Sequence, residues 1–574
     1  MSESRFNWTI ALLLLLACSL AYINTLDGEW VWDDSSSVLL HKHVQQPGKT
    51  FLLFSEDQHA FGRGQGNFYR PLVASSFMLD YYFSGGPSPD DYAAQTLPEI
   101  SPFLFHLSNI FWHLSAALLL LLLLHFLKAP RFVRGVTPLL FVVHPLHTEA
   151  VAYISGRADM MSAAAIFAAL CFSVTAIQHK RPVGGTIGAV LCFIAGLLSK
   201  ESTLIYPILL GIIFLTVRTK RNTLEKTAIQ EEKIPFYLRF APLLSAASVL
   251  VLYLLLRSTV LNFANGSTVD ASPLPHRLFE TMQSLGLYAK MLFFPIGLHM
   301  ERSLDGVPSV YALFGILFLL SLIAGIALSW YSGRKRIAAG FAWFLASWLP
   351  ISGIFPLNAP LAEHWMYVPM AGFWWAFLEI IWELCKDTRR IKIAYTISLI
   401  LCILFIAMTA QRNREWHDNE TLFRATLREN PNTIRVHYNL AVTYDNIQRN
   451  YAGARRHYEY YIKLRDHERA AAGVDRGTFT SDDIEVRMSL GRLLLQSGEY
   501  LAAFNTLAPL KQLAKIEAWR PTAALAALQT GQALLALGDI GQAHHYFQEA
   551  VTIDPNLATE VELQLSGQPF GDNF

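Results

Sequence analysis

Two adjacent carboxylates, Asp33 and Asp34, follow directly on the first long apolar run of the chain. Charge is expensive to place near lipid, so an acidic pair there reads as the acid/base end of a transfer reaction on a lipid-linked substrate. Other polar motifs interrupt apolar sequence further on: Tyr69-Arg70-Pro71, His144-Pro145-Leu146-His147-Thr148-Glu149, Gly156-Arg157-Ala158-Asp159, Ser199-Lys200-Glu201 and Glu363-His364-Trp365-Met366-Tyr367. Guanidinium groups grip phosphate oxygens in pairs, which suits Arg70 and Arg157, with Lys200 beside them, to a polar pocket that takes a phosphate. Tyr69, His144, His147, Glu149, Asp159, Glu201, Glu363, His364 and Tyr367 are expected to complete the donor pocket.

Each motif also has a plainer reading. An acidic pair can cap a helix, Lys200 and Glu201 can snorkel to the interface, and His144 and His147 can hydrogen-bond to neighbouring helices. The three-residue histidine spacing beside Glu149 suits a metal, but no third well-placed ligand is evident and no metal site is expected. Acidic groups near phosphates leave a divalent cation open. The functional reading gains from the shared membrane face on which these motifs fall.

The elements that must position them are membrane helices. Of 574 residues, 53% are hydrophobic and 16% charged, and runs such as Leu118 to Leu124 and Ile397 to Ala407 are too apolar for a soluble surface. Lys plus Arg (46) nearly balances Asp plus Glu (45), which leaves no basic field for nucleic acid. The five cysteines lie in or beside apolar runs without metal-ligand spacing, so neither disulfides nor zinc are expected.

Apolar stretches at 6–22, 103–127, 136–153, 158–178, 183–199, 203–218, 237–257, 310–331, 338–356, 365–385 and 391–410 predict about eleven crossings, the first a retained anchor. Basic residues stay in the cytoplasm, which places Lys128/Arg131/Arg134, Lys180/Arg181, Arg218/Lys220/Arg221, Arg334/Lys335/Arg336 and Lys386/Arg389/Arg390 inside. The first loop, 33–102, and the motifs above then lie outside, with the N-terminus cytoplasmic. That parity requires the moderately apolar 281–298 stretch to lie in the outer interface or re-enter, and leaves Arg412 and Arg414 outside against the rule. Asn265-Gly266-Ser267 fits a glycosylation acceptor on an outer loop.

After Ala410 polar helix-forming sequence takes over. Gly491, Leu494, Gly498, Tyr500, Ala503 and Leu507 recur as Gly531, Leu534, Gly538, Ile540, Ala543 and Phe547, the pattern of tetratricopeptide (TPR) repeats. Leu440, Ala441, Tyr444, Tyr451, Ala454 and Tyr458 form a looser copy, and Trp416, Phe423 and Pro431 suggest an earlier partial unit. The expected architecture is all-α: a polytopic membrane domain over 1–410 and an extracytoplasmic TPR solenoid over 411–574.

In order along the chain, Asp33-Asp34, Tyr69-Arg70-Pro71-Leu72, His106 with Asn109 and His113, His144-Pro145-Leu146-His147-Thr148-Glu149-Ala150-Val151, Gly156-Arg157-Ala158-Asp159, Ser199-Lys200-Glu201, Glu363 with Tyr367 and Pro369, and Gln411-Arg412-Asn413-Arg414 with Trp416 resemble the TMTC proteins. These are polytopic O-mannosyltransferase-like proteins with C-terminal TPR repeats. The family pattern has Arg after the glutamate, where this chain has His364, and the repeat array here is short.

The resemblance implies a GT-C glycosyltransferase fold, a catalytic acid on the first outer loop, and a polyprenyl-phosphate-linked sugar, typically mannose, as donor. Asp33 is the expected base, taking the proton of an acceptor Ser or Thr hydroxyl as that oxygen attacks the anomeric carbon, with inversion; Asp34 orients the acceptor or substitutes for it. The expected partners are the bilayer, the lipid-linked sugar, and an acceptor protein or partner subunit held by the TPR domain. The short array favours a bacterial inner membrane over the endoplasmic reticulum. The alternative is an inactive membrane-anchored TPR scaffold; a transporter would instead carry ionisable groups at mid-bilayer and a second related half.

Overall fold

The computed structural model describes residues 2–61, 67–88, 97–178, 182–224, 236–262, 272–304, 306–385, 387–473 and 478–566. Asn265-Gly266-Ser267, Lys180/Arg181 and Lys386 lie outside the described residues, as do the side chains of Arg218, Lys220 and Arg221. Every regular element among the described residues is helical, as expected of an all-α protein, and the chain divides into two compact units, Met1–Leu422 and Phe423–Phe574.

The first unit contains α1 (Glu3–Tyr22), α2 (Pro71–Phe83), α3 (Phe103–Phe126), α4 (Arg131–Val143), α5 (Thr148–Ala152), α6 (Arg157–Ile177), α7 (Pro182–Leu197) and α8 (Tyr206–Leu224). It continues with α9 (Phe236–Ser258), α10 (Leu274–Phe293), α11 (Val310–Tyr331), α12 (Lys335–Trp348), α13 (Tyr367–Leu384) and α14 (Thr388–Asn413). Among the described residues six helical segments, at Glu3–Thr25, Phe103–Phe126, Ile154–Ile177, Phe240–Ser258, Val310–Tyr331 and Thr388–Trp416, are long and apolar enough to cross a membrane, against the eleven stretches marked by apolarity. Several remaining stretches fold as shorter helices. The 136–153 stretch is broken: Pro138 sits inside α4, the 3₁₀ turn Pro145–His147 follows, and then α5. Pro145 lacks the N–H that a continuous helix would use, and nearly all of the segment is buried among its neighbours.

The 281–298 stretch, expected at the interface or re-entrant, lies mostly within the continuous 20-residue α10. Such a helix is about 30 Å long, but it is not among the six segments apolar enough to cross. It packs closely on α11, where a Cβ on Gly286 would collide with the Tyr311 carbonyl and one on Gly315 with that of Met282. Small residues likewise let α12 and α13 meet: a Cβ on Gly340 would lie 2.8 Å from the Gly372 carbonyl.

Three helices fix the two ends of this unit. Glu3 at the start of α1 pairs with Arg131 and Arg134 at the start of α4. At the far end, Thr409 of α14 donates to the Val143 carbonyl at 2.8 Å, and Asn413 donates to Ala21 and Asn24 at 2.8 Å each. Helices α1, α4 and α14 therefore run the same way. Basic loop residues Arg131 and Arg134 cluster at their beginnings, and the turn carrying Asp33 and Asp34 lies at their ends. Arg412, anomalous by the charge rule, is neutralised there by Glu363 and Glu415.

In the second unit, α15 (Ile434–Val442) packs on α16 (Tyr451–Ala472), α17 (Ser481–Gln496) on α18 (Tyr500–Leu507), and α19 (Arg520–Ala536) on α20 (Ile540–Ile553). Gly491 faces the Leu507 side chain and Gly531 faces Phe547 in the same way. Gly498 and Gly538 take the matching left-handed turns at φ +76° and +85°. Trp416, expected in a partial repeat, is instead buried in the first unit with its ring 5.5 Å from that of Tyr153.

Candidate active site

The turn beyond α1 separates the two aspartates into different environments. Trp32 adopts φ +49°, a conformation that bulky residues rarely take, and its N–H donates to Asn419 Oδ1 at 2.9 Å. This kink sends Asp34 inward, where it is wholly buried. Its Oδ1 accepts from the N–H and the hydroxyl of Ser155, each at 2.8 Å, and its Oδ2 from the N–H of Val31 at 3.1 Å. Burial outweighs these three donors and the Asp33 charge adds to it, raising the Asp34 carboxyl to about 7. Asp33 is half-buried, within electrostatic reach of His59 and Tyr153.

A second group of charges is assembled from four segments. Arg70, at the N-terminus of α2, stacks over Phe68 at 4.7 Å and donates to Glu201 Oε2 at 3.3 and 3.4 Å and to Gln58 Oε1 at 3.4 Å. These contacts are long for a charged donor, so the guanidinium is loosely held. Lys200 Nζ donates to Asp159 Oδ1 at 2.6 Å, and its ammonium is destabilised first by burial and eased by the Asp159 charge. Arg257, near the end of α9, donates to the carbonyl and side-chain oxygens of Asn67 at 2.8 and 3.1 Å. Tyr69 donates to the Phe54 carbonyl at 3.0 Å and holds the loop between them.

A third network joins Glu149 to the loop before α13. Glu149 accepts from His364 Nδ1 at 2.9 Å and from the His364 N–H at 3.0 Å. Glu363, fully buried, accepts from Arg302 at 2.8 Å and from the His299 N–H at 2.6 Å, with Arg412 at 3.5 Å. His364 thus holds both Glu149 oxygens.

Other expected pocket residues are buried between helices with protein partners. Arg157 is completely buried: it pairs with Asp80 at 2.6 Å, donates to Asn109, Ser76 and the Phe105 carbonyl, and lies over the Phe77 ring at 4.5 Å. It braces α2, α3 and α6 and presents no free donor outward. His144 Nε2 meets the Leu292 carbonyl at 3.1 Å, and His147 Nδ1 that of Phe141 at 2.8 Å. Tyr367 hydrogen-bonds His113 at 2.6 Å, and its ring lies 4.4 Å from that of His147, tilted by 36°. Among the described residues no group of three His, Cys, Asp or Glu side chains is placed to hold a metal.

Sequence reading missed Gln58, His59, Arg257 and Arg302. The first two sit in a loop without a motif. Arg257 carried a signal, because it ends an apolar run on the side where the charge rule disfavours cations.

No family model matches the chain. Its curated relatives include the protein O-mannosyl-transferase F38B6.6 of Caenorhabditis elegans, 26% identical over 448 residues, covering 75% of this chain and 59% of that protein. Human TMTC1 is 26% identical over 542 residues, covering 83% and 57%. Mouse TMTC4 is 26% identical over 473 residues, covering 73% and 62%, and both are named protein O-mannosyl-transferases. The chain spans a little under two thirds of the length of these relatives. A crystal structure of the Archaeoglobus fulgidus oligosaccharyltransferase, tethered to an acceptor peptide, aligns with a TM-score of 0.38 and 14% identity over 80% of this chain and 59% of that one.

An all-helical membrane protein with its acidic and basic motifs gathered at one end is the class that fold and site define. Its curated homologues are the TMTC protein O-mannosyl-transferases, the family that the ordered motifs resemble.

Proposed function

We propose that the chain is a membrane glycosyltransferase that moves a sugar, mannose by the names of its relatives, from a polyprenyl phosphate to Ser or Thr hydroxyls of an extracytoplasmic protein, with inversion. The observation that carries this reading is the division of labour within the acidic pair. Asp34 is anchored by Ser155 and Val31, and Asp33 stays half-exposed at the same turn. The acceptor oxygen attacks the anomeric carbon, the bond to the phosphate oxygen breaks on the opposite face, and Asp33 takes the hydroxyl proton. A carboxylate with a reference pKa of about 3.9 is a weak base for a hydroxyl, so positioning carries much of the rate.

Arg70 and Lys200 balance the charge that develops on the leaving phosphate. Each already holds a carboxylate, Glu201 and Asp159, which balances its own charge before the donor arrives. Arg157 acts at one remove, by fixing α2 and hence Arg70. The GT-C fold, eleven crossings, the bacterial membrane and a TPR identity for the second unit belong to the same proposal. A cavity of about 590 Å³ on that unit, lined by Tyr451, Arg455, Arg456, Glu459, Leu493 and Gln496 among others, offers a place for an acceptor segment. Linking such a module to the site on one chain raises the acceptor's local concentration.

The test is transfer from a panel of labelled polyprenyl-phosphate sugars to membrane or periplasmic extract, comparing wild type with Asp33→Asn and Asp34→Asn. Loss of transfer with Asp33→Asn while donor binding persists supports the reading. Folded protein that transfers from no donor, yet still captures partners through its second unit, moves the assignment to a scaffold.

A further inference from the structure

A chain of hydrogen bonds runs between the two halves of the proposed site through residues that the mechanism above does not use. Arg70 Nη1 donates to Gln58 Oε1 at 3.4 Å, and Gln58 Nε2 donates to Ser37 Oγ at 3.4 Å. His59 Nδ1 lies 3.3 Å from Ser37 Oγ and 3.0 Å from Ser36 Oγ, and the Ser36 hydroxyl donates to the carbonyl of Asp33 at 2.9 Å. Gln58 and Ser37 are buried, 3% and 0% exposed, so water does not compete freely for these groups.

The segment carrying Gln58 and His59 is also pinned to the segment carrying Arg70. Asp57 accepts from the N–H of His59 at 2.7 Å and from the N–H of Phe68 at 2.6 Å, and the Gln58 N–H donates to the Phe68 carbonyl at 2.9 Å. The Phe68 ring lies between the Arg70 guanidinium, 4.7 Å away, and the His59 ring, 5.8 Å away. Residues 57–59 and 68–70 therefore move as one piece. The charged groups facing His59 are Asp33, Asp57 and Arg70. The two amide contacts of Gln58 are at the long end of the hydrogen-bond range, as links that tighten on substrate binding often are.

We propose that Gln58 and His59 are positioning residues that couple phosphate capture at Arg70 to the placement of the Asp33 turn. The proposal rests on the reading of Arg70 as a phosphate contact and Asp33 as the base. When a donor phosphate draws Arg70 from Glu201, the shift passes through Gln58 to Ser37, and through His59 to Ser36 and the Asp33 carbonyl. The base is thereby set only when a donor is present.

The full-length protein, purified in detergent, tests this with polyprenyl monophosphates, bacterial-type and dolichyl-type in parallel, as probes. Amide hydrogen exchange is followed over 34–41 with and without lipid phosphate, alongside sugar transfer. In wild type the lipid phosphate is expected to slow exchange across that segment. Gln58→Leu and His59→Phe are expected to bind the lipid phosphate as wild type does, to lose this protection, and to drop kcat roughly ten- to a hundredfold at unchanged donor KM, the loss typical of a misplaced group. His59→Asn, whose amide reaches the position of Nδ1, is expected to restore part of both. Wild-type protection and kcat in Gln58→Leu and His59→Phe overturn the coupling, as does wild-type protein that shows no protection with either lipid. An Asp33→Asn enzyme that still transfers sugar sinks the base assignment instead, and leaves the exchange result to judge the coupling alone.

Discussion

Ser155 holds Asp34 with both of its donors, the backbone N–H and the hydroxyl each lying 2.8 Å from Oδ1. The two residues are far apart in the chain and come from the α1 turn and the loop before α6. Together they fix the turn on which Asp33 stands.

Asp34 makes stability depend on pH. Its carboxyl is raised from an ordinary value of 3.8 to about 7, chiefly by burial. Between those values the folded state binds the proton and the unfolded state does not, so stability falls as pH rises from about 4 to about 7 and is level above. Asp34→Asn, which stays neutral throughout, should flatten that slope. Thermal melts in detergent across pH 4 to 8 check it; a slope unchanged in the variant refutes it.

Arg70 is expected to act on donor affinity. Its loose contacts to Glu201 leave it able to exchange partners. Arg70→Lys should raise the donor KM by roughly tenfold and Arg70→Gln by roughly a hundredfold, as loss of charge-assisted and paired hydrogen bonds predicts. Steady-state kinetics with a labelled donor distinguish this from a fall in kcat alone.

Arg157 should behave as a structural residue. With Asp80 it forms an ion pair whose guanidinium has no exposure. Arg157→Leu leaves Asp80 unpaired and should cost about 3–5 kcal/mol of stability. Arg157→Lys should recover little, since one ammonium cannot replace contacts to Asn109, Ser76 and Phe105 together. Melting temperatures in detergent decide it; a stable variant with normal yield would contradict the bracing role.

Gly286 and Gly315 should be intolerant of any side chain. A methyl at either would meet a backbone carbonyl of the facing helix, and Gly286→Ala or Gly315→Ala should cost about 1–3 kcal/mol by overpacking. Thermal unfolding tests this, with Gly211→Ala, which meets no neighbour, as the control.

Much of the site was legible as residue types. The motif residues were marked because polar groups inside apolar sequence are unusual, and Asp34, Arg70, Lys200, Glu149 and Glu363 do gather at one end of the first unit. Their roles were not legible. Arg70 and Arg157 looked alike as sequence, yet one rests loosely on Glu201 and the other is a sealed strut. The difference lies in partners from distant segments, such as Asp80 for Arg157. The helical form of most of the 281–298 stretch was not legible either, because its close packing on α11 depends on Gly286 and Gly315 meeting across two segments, which hydropathy does not see.

What the sequence determined by itself was the class of the molecule, because long apolar runs and a glycine-punctuated repeat are local patterns that impose helices and burial directly. It also determined which residues were available for chemistry. Tertiary structure alone decided that Asp34 is buried and Asp33 is reachable, that α4 breaks short of a full span, and that Gln58 and His59 lie between Arg70 and the aspartates. Ionisation, exposure and orientation depend on which groups from remote parts of the chain meet a side chain, and no local spacing encodes that meeting.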